Sequence, residues 1–84
     1  MQSGNRKEYG HYIVSDPEIC GGRMTFKGTR IFVKDVLDMV AQGMAWSEIT
    51  ETWFGRVSHA AIAEAVRLAN DALLEKDETQ RKAA

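Results

Sequence analysis

The spacing of apolar positions changes near residue 33. Before it they come in short β-prone runs: Tyr12-Ile13-Val14, Met24-Thr25-Phe26 and Arg30-Ile31-Phe32. Pro17 cannot donate to a ladder and biases Asp16 toward extended geometry, so the first run ends at Ser15-Asp16-Pro17. Gly21-Gly22 supplies a sharp turn, since glycine tolerates positive φ. The second and third runs flank Lys27-Gly28-Thr29 at hairpin spacing, with Gly28 as the turn residue. Alternation puts Met24 and Phe26 on one face and Thr25 on the other. Phe32 falls opposite Ile31 and Val33 and is expected to need cover from another chain. A two-stranded hairpin is marginal in water, so these strands are expected to lie on helices or to pair with a second chain.

From Val33 the period becomes helical. Val33, Val36, Leu37, Val40 and Ala41 predict a first helix over 34–42, with Asp35 favouring its start and Gly43 capping its end. Trp46, Ile49 and Trp53 share one face of a second helix over 46–54. Ala45-x-x-Glu48 is half of a capping box: the carboxylate is present, the hydroxyl is not. Phe54-Gly55-Arg56-Val57 breaks the pattern. Ser58 then caps a third helix, with Val57 and Ile62 as a hydrophobic staple. Its buried stripe is Ile62, Ala65, Val66, Ala69 and Leu73, and it is expected to end near Leu74 or Glu75. Trp46, Trp53 and Phe54 read as core or dimer interface. Residues 1–11 read as a flexible lead-in and 76–84 as a charged tail, solvated or a frayed extension. One mainly α domain remains, a β-arm followed by three helices over 12–75.

Composition narrows this picture. A chain of 84 residues buries only about 60% of its unfolded surface, so a partner subunit would supply useful burial. Cys20 is alone, which excludes a disulfide and a cysteine zinc site and reads as a small buried or half-buried thiol. The N-terminus has no signal-peptide pattern, and no apolar run approaches the roughly 18 residues of a membrane span. The expectation is a cytoplasmic protein that does not enter a membrane. The net charge of −1 hides an asymmetry: residues 1–34 carry six basic and three acidic groups, and residues 35–84 five basic and nine acidic. If nucleic acid binds, the front half is its electrostatic surface.

Catalytic chemistry is poorly represented. His11 and His59 have no spaced metal or nucleophile partners, and the glycines match neither a phosphate loop nor a dinucleotide fingerprint. No enzyme activity, metal or cofactor is expected. A short helix, a break of about four residues and a third helix, packed on a preceding helix, outline a helix-turn-helix domain. In that fold the start of the last helix enters the major groove. Here those positions are Ser58, His59, Ala60, Ala61 and Ala63, with none of the usual base-reading side chains. Ser58 and His59 are the candidates there. The arm offers more charge: Arg23, Lys27, Arg30 and Lys34 are candidates for phosphate contacts. The alternative is that they are solvent-facing charges that discourage edge-to-edge aggregation.

Gly21-Gly22, Lys27-Gly28-Thr29-Arg30-Ile31, Val33, Gly43-Met44 and Glu48-Ile49 together resemble the bacterial family known as domain of unknown function 433, including its VapB-like antitoxin members. The resemblance covers about residues 12 to 70. It implies a homeodomain-like three-helix fold with a β-arm, often dimeric, acting as an antitoxin that binds DNA and a PIN-like nuclease toxin. The sequence departs from the pattern at Ala45, where a capping Ser is usual, and at Phe54, where a Pro often follows the aromatic. Leu68, Leu73 and Leu74 are the candidate toxin contacts. The alternative function is a protein-interaction or dimerisation module that never touches DNA.

Overall fold

The change of period at residue 33 is the change from sheet to helix. A computed structural model describes residues 6–83. Strands β1 (Lys7–Glu8), β2 (Ile13–Ser15) and β3 (Met24–Phe26) form an antiparallel sheet in that order. Helices α1 (Val33–Ala41), α2 (Trp46–Thr52) and α3 (His59–Ala83) follow. The chain is thus three helices with a small three-stranded sheet at its front. Among the described residues no helix is long and apolar enough to cross a membrane.

The pairing differs from the expected hairpin. β3 pairs with β2, setting Ile13 against Phe26, Val14 against Thr25 and Ser15 against Met24. The expected hairpin is present in part on the other edge of β3: Thr25 and Phe32 form an antiparallel bridge, and the Phe26 N–H donates to Ile31 O at 3.0 Å. Helix formation wins at its end: the Phe32 carbonyl accepts the N–H groups of Asp35 at 3.1 Å and Val36 at 3.4 Å, so Phe32 is the cap of α1. Phe32 finds cover within its own chain, the Arg23 guanidinium lying over its ring 4.2 Å from the centroid.

Ile13 and Phe26 face the helices and join Val36, Ile49, Val57 and Ile62 in one core. The opposite sheet face is covered as well. Val14 and Thr25 are buried, and an ion pair of Lys27 with Glu8, 3.4 Å long, reaches over β2 on that side. The Thr25 hydroxyl has no hydrogen-bond partner among the described residues.

The expected flexible lead-in contains β1, which pairs Lys7 with Ser15 and Glu8 with Val14. Its anchor comes from α3. Glu64 is 5% exposed, and its carboxylate accepts the backbone N–H of His11 at 2.9 Å and of Tyr12 at 2.7 Å. Gly10, at φ +121°, lies against the same carboxylate, where a side chain has no room. Burial, the largest influence on this carboxyl, raises its pKa. The two backbone donors and the charges of His11 and Arg67 outweigh it and hold the carboxyl below its ordinary value of 4.5.

The helix ends follow their local chemistry. After α1, Gly43 at φ +86° donates to Val40 and Met44 donates to Met39, the two bonds of a glycine-terminated helix. At α2 the half capping box is present: Glu48 Oε1 accepts the Ala45 N–H at 3.1 Å. Restoring its other half with Ala45→Ser is expected to stabilise the fold by about 0.5–2 kcal/mol, read as a rise in the urea midpoint. Ser58 caps α3, its hydroxyl accepting the Ala61 N–H at 3.1 Å, and Val57 and Ile62 are both fully buried, as the staple requires. α3 does not stop near Glu75. Residues 76–82 are charged or polar but rich in helix formers, and the helix continues through them to Ala83. Only its first half reaches the body, so Ala69 and Leu73 of the expected stripe are exposed.

Candidate nucleic-acid interface

Two turns approach each other on one side of the body. In the turn after β3, Gly28 takes φ +79°, and the Thr29 N–H donates to Phe26 O at 2.9 Å. The Thr29 hydroxyl donates to Phe26 O at 2.8 Å and accepts the Ile31 N–H at 3.0 Å. These bonds fix the backbone on both sides of Arg30.

The second turn joins α2 to α3. Phe54 N–H donates to Glu51 at 3.0 Å, Gly55 to Thr50 at 2.9 Å and Arg56 to Trp53 at 3.0 Å. The Thr50 hydroxyl closes the turn by donating to Val57 O at 2.8 Å. Phe54 is held at φ +57°, a left-handed conformation unusual for an aromatic residue, and its side chain is 90% exposed. Of the three aromatics expected in the core or at a dimer interface, Trp46 and Trp53 pack against the core, whereas Phe54 lies outside it.

Between the turns lies an open concavity of about 470 Å³, lined by Ile19, Gly28, Thr29, Arg30 and Arg56. Among the described residues, neither Arg30 nor Arg56 has an ion-pair or hydrogen-bond partner for its guanidinium. The N–H groups of Gly28 and Arg30 are likewise not spent on the described chain. Two arginines lining one concave surface, neither partnered among the described residues, suit an oxyanion, above all a phosphate with its several acceptor oxygens.

The other sequence candidates are dispersed or occupied. Arg23 lies over Phe32, Lys27 pairs with Glu8 and Lys34 pairs with Asp38 at 2.8 Å. The Asp38 hydrogen bond and charge raise the Lys34 pKa above its ordinary value of 10.5. Exposed pairs of this kind exchange readily with a phosphate, so they do not forbid contact, but among the described residues they leave Arg30 as the one of the four with no ion pair, hydrogen bond or ring contact. The Ser58 hydroxyl is engaged in capping, and the His59 ring meets Trp46 edge-on at 6.2 Å between centroids. Leu68 is half-buried along an apolar groove of about 210 Å³ that includes Met24, Leu37, Ala69 and Ala72. Leu73 and Leu74 stand further along α3, 64% and 54% exposed. Among the described residues no three His, Cys, Asp or Glu side chains cluster as metal ligands would.

Arg56 was missing from the sequence candidates. Its signal was available: it is the basic residue in the break between the second and third helices, two positions from an aromatic. Its convergence with Arg30 required the fold.

The family described as a protein of unknown function (DUF433) matches residues 13–69. That span takes in both turns, the core and the buried half of α3. No curated protein and no solved structure matches the chain.

Proposed function

The chain belongs to the DUF433 family, and from that premise we propose that it is an antitoxin-like component of a toxin–antitoxin system, a cytoplasmic dimer that binds operator DNA and a PIN-like nuclease toxin. Its mechanism is stoichiometric binding, without catalysis. The observation that carries the DNA reading is a pair of arginines lining one concave surface, Arg30 and Arg56, neither of which has a guanidinium partner among the described residues. Arg56 sits in the turn between α2 and α3, three residues before the start of α3, the element that a homeodomain-like helix-turn-helix sets in the major groove. Arg23, Lys27 and Lys34 add positive charge on the same half of the chain. Specificity for the toxin falls to α3, where Leu68, Leu73 and Leu74 offer apolar surface.

A second reading, a protein-interaction module without DNA binding, draws on the start of α3. There Ser58 is engaged as a cap, His59 lies against Trp46, and no base-reading side chain is present.

Titration of fluorescent promoter duplex at two salt concentrations separates the readings. Binding is expected to weaken steeply with salt, and Arg30→Ala with Arg56→Ala is expected to flatten the slope of log K against log salt by about one unit per lost phosphate contact. Absence of binding even at low salt sinks the DNA reading and favours the interaction module. For the toxin, co-expression with the adjacent gene product should yield a complex and relieve growth arrest. Neither outcome appearing would remove the antitoxin role.

A further inference from the structure

We infer that Phe54 is an apolar wedge that enters a base step of bound duplex DNA and bends it, an inference that rests on the DNA reading above. Four observations meet at this residue. The phenyl is 90% exposed, so it contributes almost nothing to the core. It is held at φ +57°, a conformation that an exposed turn would ordinarily assign to glycine. The turn is nonetheless tightly bonded, by three backbone hydrogen bonds and by the Thr50 hydroxyl on Val57 O, so the ring is presented on a rigid support. Two residues further on, Arg56 lines the concavity with Arg30, and neither guanidinium has a partner among the described residues.

The chemistry around the ring selects its mode of contact. A phenyl cannot read hydrogen-bonding base edges. Its neighbours at the start of α3 cannot do so for it, since the Ser58 hydroxyl is engaged, His59 meets Trp46, and Ala60 and Ala63 carry only methyl groups. What the ring can do is stack on the face of a base, and in a duplex that face opens only when a step is unstacked. Unstacking costs a few kcal/mol per step. The arginines of the concavity, with Arg56 two residues further along the chain, offset that cost by neutralising phosphates where the backbone is distorted. The sequence preference follows from deformability: pyrimidine–purine steps such as TA unstack readily, whereas A-tracts are stiff.

The test uses the full chain and two duplexes of equal length, labelled at both ends for energy transfer, one with a central TA step and one with a central A-tract. The wild type is expected to bind the TA duplex about tenfold more tightly and to raise its transfer efficiency. Phe54→Ala should lose both the preference and the bend, roughly a tenfold loss on the TA duplex, while keeping the wild-type salt slope. Phe54→Trp should retain both. Arg30→Ala and Arg56→Ala should instead flatten the slope on both duplexes. Phe54 is exposed, so matched thermal midpoints of wild type and variants will show that folding is intact. Duplex binding with no bend and no response to Phe54→Ala overturns the wedge and leaves the DNA reading standing. Failure of the wild type to bind either duplex at low salt overturns the DNA reading itself.

Discussion

Glu64→Ala is expected to destabilise the fold by about 2–4 kcal/mol, measured by urea unfolding at neutral pH. The carboxylate accepts two backbone N–H groups, from His11 and Tyr12, and no other described group replaces it. Removing it leaves two donors without their acceptor and empties the volume beside Gly10. Because His11 and Tyr12 are themselves exposed, water can reach part of that site, which keeps the loss below that of a fully enclosed charge. Glu64→Gln should fall between wild type and alanine: it keeps one acceptor oxygen but turns an amide N–H₂ toward a second donor. The pH dependence has a defined sign. The folded carboxyl is held below 4.5 despite burial, which opposes it, by the two backbone donors and by the charges of His11 and Arg67. Its contribution is therefore complete above the unfolded value of 4.5 and is lost as pH falls through the lower folded value. Urea midpoints of the wild type should drop across that acid range, and those of Glu64→Ala should drop less.

Gly10→Ala is expected to cost about 2–4 kcal/mol, from two sources in the same place. The backbone at φ +121° excludes an L side chain, and an added Cβ would lie 2.7 Å from the Glu64 carboxyl carbon. The steric part depends on Glu64 and the conformational part does not. Combining Gly10→Ala with Glu64→Ala should therefore cost less than the two separate losses, with a coupling of about 1 kcal/mol or more. Strict additivity in that cycle would show that the two residues do not share a site.

The helical half was legible because its signals are local. The stripe starting at Val33, the Gly43 termination, the half capping box at Ala45 and Glu48 and the Val57–Ile62 staple each lie within one or two turns of chain. All appear in the structure where the residues placed them, except that Ala41 at the end of the stripe is exposed. The front half was less legible because its partners are distant. A polar pair such as Lys7-Glu8 carries no strand signal, and its anchor is a glutamate more than fifty residues away. Met24-Thr25-Phe26 carried the right strand signal and one of its two partners, but not the longer ladder with β2; helix capping by Phe32 cuts the hairpin short. The end of α3 was hidden for a different reason: residues 76–80 bury nothing, so helix propensity there acts without apolar periodicity. At the candidate interface, Arg30 could be named from charge, whereas the occupation of Lys27 and Lys34, the exposure of Phe54 and the arrival of Arg56 depend on packing.

The glutamate clamp also bears on how this domain is delimited. The family match begins at residue 13, one position beyond Tyr12, whose N–H Glu64 holds. A fragment cut at the limits 13–69 would keep the buried carboxylate and discard Gly10, His11 and Tyr12 together. The contacts of the domain thus reach upstream of the similarity, where the first strand pairs with the sheet and the clamp residues meet the helix.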